Sequence, residues 1–211
     1  MADTDRIDRF TAFTKLPRAV AQDGRISYRA RGLLAALWCD RPGWTWTIEH
    51  LARTRGPAVE GHTAITRAVK ELREAGYVHR TAVPVRGEQM RTAWTLHRAA
   101  LPGGAAAMTP WLRWSHAVGR DGRISYRARG LLADQLSYAR LDAESVALVG
   151  GVATLDDRHR IRGEGRAALR TALAELLAAG YATQVRGHDA AGRLLWQTAL
   201  YRLPVPVPAL A

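Results

Sequence analysis

The sequence predicts an α+β protein, mainly α, in which each of two tandem copies of one unit closes with a β-hairpin. Three observations carry this expectation. The thirteen residues DGRISYRARGLLA stand at 23–35 and again at 121–133, an offset of 98. A second block returns at an offset of 104: Glu60, Gly61, Ala64, Ala68, Glu71, Leu72, Ala75, Gly76 and Tyr77 recur as Glu164, Gly165, Ala168, Ala172, Glu175, Leu176, Ala179, Gly180 and Tyr181. After each Gly-Tyr the apolar period changes from 3.6 to 2, the step from helix to strand. Units of about 100 residues are too long and too few for a solenoid, whose repeats run about 20 to 50 residues. They read as two homologous domains, 1–100 and 111–211. The segment 101–110 between them is rich in Ala, Gly and Pro and low in charge, as a linker is.

Within the first copy Ser27 is placed to cap a helix whose Ala30, Leu33, Leu34 and Leu37 form one buried stripe. Residues 40–43, with Pro42, end it. A short second helix follows from Thr47, with Ile48, Leu51 and Ala52 in register. The third helix is the clearest. Ile65, Ala68, Val69 and Leu72 make its apolar stripe, and Gly76 sits where a left-handed residue ends a helix, with Tyr77 next to pack on Leu72. Strands are then predicted around Thr81, Val83 and Val85 and around Thr92, Trp94 and Leu96. The second copy repeats this grammar with Leu169, Ala172, Leu173, Leu176, Gly180 and Tyr181. Its hairpin runs from 181–185 to Leu194, Trp196, Thr198 and Leu200, with RGHDAAGR as the turn. Residues 141–162 depart from the first copy, being longer and interrupted by Gly150 and Gly151. Trp94 and Trp196 are both expected to pack in the core between wing strands.

Charge narrows the class of partner. The chain of 211 residues has 31 basic and 19 acidic side chains, a net +12, and only Lys15 and Lys70 among the basic residues are lysines. The surplus is in both copies: 17 basic against 10 acidic over 1–103, +7, and 14 against 9 over 104–211, +5. Such a balance favours a polyanionic partner. The single cysteine, Cys39, excludes an intramolecular disulfide and suits a reducing compartment. No apolar stretch approaches the roughly 20 residues of a membrane span, and no secretory leader pattern is visible near the N-terminus. No membrane contact and a cytoplasmic, nucleoid-associated location are expected.

Three helices followed by a hairpin, with a basic face on the third helix, is the plan of a winged helix-turn-helix. The strings SYRARGLLAALW, EGHTAITRAVKELREAGYVHR and RGHDAAGRLLW also resemble the winged-helix domains of bacterial transcription regulators and of plasmid and phage replication initiators. That resemblance covers both copies and implies two winged helix-turn-helix domains in tandem. A helix fits the major groove of duplex DNA, where residues near its start meet base edges and cations meet phosphates. Setting aside the apolar stripe leaves His62, Thr63, Thr66, Arg67 and Lys70 outward in the first copy. The corresponding face of the second copy offers Arg166, Arg170 and Thr171. In the hairpins, Arg86 and Arg91, and Arg186 and Arg193, are candidates for a minor groove or for phosphates. Arg25, Arg29 and Arg31, with their copies Arg123, Arg127 and Arg129, are placed to touch phosphate or to pair with Asp23 and Asp121, and pairing is favoured for Arg31 and Arg129.

Catalytic and metal chemistry find no support. There is no phosphate-binding Gly-rich loop ending in Lys-Ser/Thr, no His-Glu-x-x-His and no cysteine pair, and Asp156, Asp157 and His159 read as a solvated turn. The expectation is a non-enzymatic, cofactor-free protein that binds double-stranded DNA as a covalent pseudo-dimer and regulates transcription, itself a monomer or a homodimer. Two alternatives stand beside it: a plasmid or phage replication initiator, and a protein whose second domain docks a protein partner.

Overall fold

Ser27 and Ser125 start the same helix twice. Each hydroxyl accepts a backbone N–H three residues on, from Ala30 and from Ala128, at 3.2 Å, which satisfies one of the donors that a helix start leaves open. The computed structural model of the chain describes residues 12–40, 45–54, 60–84, 90–96, 110–139, 145–149, 164–188, 191–192 and 194–205. Over these the fold is a mixed α+β one with small antiparallel sheets.

The first copy runs β1 (Phe13–Pro17), α1 (Arg18–Ala21), α2 (Tyr28–Trp38), β2 (Thr45–Trp46), α3 (Ile48–Thr54), α4 (His62–Glu74), β3 (Val78–Pro84) and β4 (Met90–Leu96). The second runs β5 (Trp111–Ser115), α5 (His116–Arg120), α6 (Tyr126–Ser137), β6 (Ser145–Val149), α7 (Arg166–Ala178), β7 (Ala182–His188) and β8 (Leu194–Tyr201). Helices α4 and α7 end as the sequence implies. Gly76 and Gly180 take φ of 83° and 82°, and the N–H groups of Tyr77 and Tyr181 donate back to the carbonyls of Leu72 and Leu176 at 2.8 Å. This is the glycine-terminated helix stop, in which a left-handed residue lets the chain turn back over its last carbonyls.

Strands β2 and β6 were not expected. Each lies against the second strand of its copy's hairpin, giving sheets ordered β2-β4-β3 and β6-β8-β7. Of residues 141–162, which set the second copy apart, 145–149 form β6 and the rest, Asp156, Asp157 and His159 among them, lie outside the described residues.

The two copies meet through α2 and α6. A Cβ added to Gly32 would stand 1.7 Å from the carbonyl oxygen of Tyr126, and one on Gly130 would stand 1.8 Å from that of Tyr28. Only glycine permits backbones to approach so closely. Around this crossing Leu33, Leu34, Leu37, Leu131, Leu132 and Leu136 are buried in one hydrophobic core that draws on both copies. The fully buried Arg31 reaches across it to Asp134, with Nη1 to Oδ1 at 2.7 Å. Asp134 occupies the place of Ala36 in the first copy, so this ion pair has no equivalent there.

Strands β1 and β5, also unexpected, pair antiparallel with Phe13 opposite Ser115 and Lys15 opposite Arg113. Lys15 and Arg113 are equivalent under the offset of 98, so the ribbon is centred on an approximate two-fold relation between the copies. Each strand carries its following short helix across to the other copy. Arg18 donates to the carbonyl of Ala139, Gln22 to the hydroxyl of Ser137 at 2.9 Å, and Arg120 to the carbonyl of Cys39 at 2.9 Å. Of the expected linker, 101–110, all but Pro110 lies outside the described residues. The Pro110 carbonyl accepts the N–H of Arg18 at 2.8 Å.

Gly32→Ala and Gly130→Ala are therefore expected to cost more than about 3 kcal/mol each, because the added methyl meets backbone rather than a side chain that can turn away. Gly24→Ala meets nothing within 4 Å and serves as the comparison. Denaturant midpoints at equal slope measure this, and a Gly32→Ala protein as stable as the Gly24→Ala protein contradicts the crossing.

Candidate nucleic-acid interface

Helix α4 is divided lengthwise. Ile65, Ala68, Val69 and Leu72 are buried, while His62, Thr63, Thr66, Arg67 and Lys70 are all exposed along the opposite side. Three carboxylate and hydroxyl contacts hold the helix in place. Just before its start, the Glu60 carboxylate accepts the backbone N–H groups of Tyr126 and Arg127 at 3.1 and 3.3 Å and the Nε of Arg29 at 3.1 Å. In its third turn Glu71 accepts the N–H of Ser27 at 2.8 Å. Past its end, the Tyr77 hydroxyl donates to Asp23 at 2.8 Å. The first contact crosses between copies and places a negative charge on the open N–H groups at the start of α6, where the helix dipole favours it.

Helix α7 is held in the same way. Glu164 accepts Nε of Arg127 at 2.6 Å and the N–H of Arg29 at 3.4 Å, Glu175 accepts the N–H of Ser125 at 2.7 Å, and the Tyr181 hydroxyl donates to Asp121 at 2.9 Å. Glu60 and Glu164 converge on the same two arginines, Arg29 and Arg127. The exposed side of α7 presents Arg166, Arg170 and Thr171. Thr66 and Thr171 turn their hydroxyls back to carbonyls one turn earlier, at 2.8 and 3.1 Å.

Some candidates have intramolecular partners. His62 lies 3.7 Å from Glu49 of α3, and hydrogen bonds from the Glu49 backbone and from Thr47, with His62 nearby, hold the Glu49 carboxyl below its usual range. Lys70 stands 3.9 Å from Glu74, one turn on. Both pairs are exposed, and such pairs contribute little. Arg67 and Arg170 form no ion pair with another described residue.

The hairpins differ from expectation. Strand β7 continues to His188, so Arg186 lies within the strand and not in a turn, directly opposite Trp196. Trp94 is buried and stacks on Trp46 with ring centroids 6.4 Å apart. Trp196 is 43% exposed, which corrects its assignment to the core. The cause is register: the offset of 104 aligns Trp94 with Thr198, whereas Trp196 aligns with Thr92, two cross-strand pairs farther toward the hairpin tip. Arg86 and Arg193 lie outside the described residues. Arg91 is in β4, opposite Val83.

The arginines at the start of each repeat have partners within the chain. Arg25 holds Asp23 through Nε and Nη2, the shortest contact 2.6 Å, and Arg123 holds Asp121 identically. Arg31 and Arg129 are buried, and Arg29 and Arg127 pair with Glu60 and Glu164. Burial raises the Asp23 and Asp121 carboxyls, but hydrogen bonds from the neighbouring arginine and tyrosine outweigh it and hold both below the usual carboxylate range.

Among the described residues no three His, Cys, Asp or Glu side chains gather as a metal site would require, and no helix is long and apolar enough to cross a membrane. What the geometry defines is a basic α+β protein of two related halves, each displaying one exposed cationic helix beside a β-hairpin. Comparison with known proteins finds no matching family model, curated protein or solved structure.

Because the folded pKa values of Asp23 and Asp121 are depressed, their contribution to stability is present above the unfolded value of about 3.9 and is lost as pH falls through the folded values. The Asp23→Asn, Asp121→Asn protein is expected to be less stable at neutral pH and to lose less stability on acidification below about pH 4. Urea midpoints across that range measure this. A variant curve parallel to the parent's contradicts the assignment.

Proposed function

We propose that the chain binds double-stranded DNA through two winged helix-turn-helix units joined as a covalent pseudo-dimer, and that it regulates transcription at the nucleoid. The observation that carries this reading is the outward side of α4, where His62, Thr63, Thr66, Arg67 and Lys70 stand exposed together on a helix anchored at its start, its third turn and its end. The order of elements around it supports the reading: helix, strand, helix, helix and hairpin, with the first strand beside the last. In this arrangement α4 enters a major groove, with His62, Thr63 and Thr66 toward base edges and Arg67 and Lys70 toward phosphates.

Helix α7 is the second reader. Its face has fewer polar groups, with Arg166, Arg170 and Thr171 separated by alanines, so it anchors more than it discriminates. The hairpin arginines Arg86, Arg91, Arg186 and Arg193 lie along flanking phosphates or the minor groove. Units 1–100 and 111–211 thus make unequal halves of one asymmetric site.

Mobility shifts across several salt concentrations, with a footprint on a selected site, test the proposal. Consecutive grooves lie about 10 base pairs apart, so two readers protect about 20 base pairs or more. Arg67→Ala and Lys70→Ala should each take about one unit from the slope of log affinity against log salt. A short footprint indifferent to Arg166→Ala and Arg170→Ala overturns the two-reader arrangement, and affinity unchanged by Arg67→Ala and Lys70→Ala overturns the role of α4.

A further inference from the structure

Beside Arg186 the second hairpin carries exposed aromatic and aliphatic side chains that duplex reading does not require. Trp196 is 43% exposed, and the Arg186 guanidinium lies over its ring, 5.0 Å from the centroid. The two residues are cross-strand partners. Two positions nearer the tip on the same face Leu194, 60% exposed, stands opposite His188, and on the other face Val185 is 63% exposed. The first hairpin has an exposed Met90 at the place of Leu194 but Ala82 opposite Thr92 at the place of Arg186 and Trp196, so the tryptophan–arginine pair belongs to one copy alone.

A tryptophan left in water on a strand otherwise able to carry a polar residue calls for an occupant, and the neighbouring charges select its chemistry. Strands β7 and β8 contain no acidic residue, and the chain has a net charge of +12. A cationic aromatic surface suits a polyanion that also offers flat rings. Bases inside an intact duplex are already stacked on both faces. A base that has left its pair has a free face, and stacking it on an aromatic side chain is worth about 1–3 kcal/mol.

We propose that Trp196, backed by Arg186 and flanked by Leu194, is a stacking platform for an unpaired base, so that the protein prefers DNA opened beside its duplex site. This rests on the DNA-binding reading above and names the form of DNA that the second hairpin selects. The indole covers the exposed base, the guanidinium extends the stack and neutralises the adjoining phosphate, and Leu194 occupies the gap left by the departed partner.

The test uses the full chain and fluorescence anisotropy, with a blunt duplex and the same duplex carrying a central run of mismatched bases. The parent should bind the opened DNA about tenfold more tightly. Trp196→Ala should abolish that preference while leaving affinity for the blunt duplex unchanged, and Trp196→Phe should keep part of it. The side chain is exposed, so circular dichroism of the variants should match the parent's. A parent without preference for opened DNA, or a Trp196→Ala protein that keeps it, overturns the platform. Binding to opened DNA but not to the blunt duplex overturns the reading of α4 and upholds the platform, and binding to neither overturns both.

Discussion

Two glycines allow this molecule to be one body. At Gly32 and Gly130 the backbones of α2 and α6 come together so closely that a single methyl would collide with a carbonyl oxygen. Everything else between the copies depends on that approach: the shared leucine core, the buried Arg31–Asp134 pair, and the β1–β5 ribbon whose centre is Lys15 opposite Arg113. The exchange of short helices across the pair follows from the same geometry, since α1 and α5 continue from strands that already lie on the approximate two-fold. A tandem repeat in the sequence has become an intramolecular counterpart of a two-fold dimer, with equivalent surfaces facing each other.

Helices α4 and α7 inherit their positions from this core. Glu60 and Glu164 precede α4 and α7, and both carboxylates end at Arg29, Arg127 and the opening N–H groups of α2 and α6. Each helix is thereby tied to the opposite copy as well as to its own. The arrangement divides the arginines into two populations. Arg29, Arg31 and Arg127 are engaged by carboxylates inside the fold and the exposed Arg25 and Arg123 pair with Asp23 and Asp121 at its surface, whereas Arg67 and Arg170 stand on the outer sides of the helices. The bulk charge of +12 therefore overstates the number of cations open to a partner, although it gives their sign correctly.

Much of the fold was legible because its signals are local. The Ser27 cap, the leucine stripe after it, the stripe of α4 and the Gly76-Tyr77 stop each need only neighbours within a turn or two, and all are present. Strands β1 and β5 were not legible. Each is five residues long, and the partner that makes it a strand lies almost a hundred positions away. Strand β2, of two residues, exists only because β4 lies beside it. The outward face of α4 could be read by subtracting its apolar stripe. The engagement of Glu60 and Glu164 could not, because nothing local shows that a carboxylate will meet a helix start in the other copy. Their recurrence at matching places in both repeats was the one available signal. Trp196 misled because its match to Trp94 is a match of residue type in a shifted register, and register is set by pairing across the strands rather than along the chain.

The rigid coupling of the two helices is tested most directly by distance. Spin labels at Thr63→Cys and Ala167→Cys occupy equivalent exposed positions at the starts of α4 and α7, and the native Cys39 is buried. Two helices held by one core should give a single narrow distance distribution in solution. A broad or bimodal distribution, the signature of two halves moving independently, contradicts the coupling on which the whole arrangement depends.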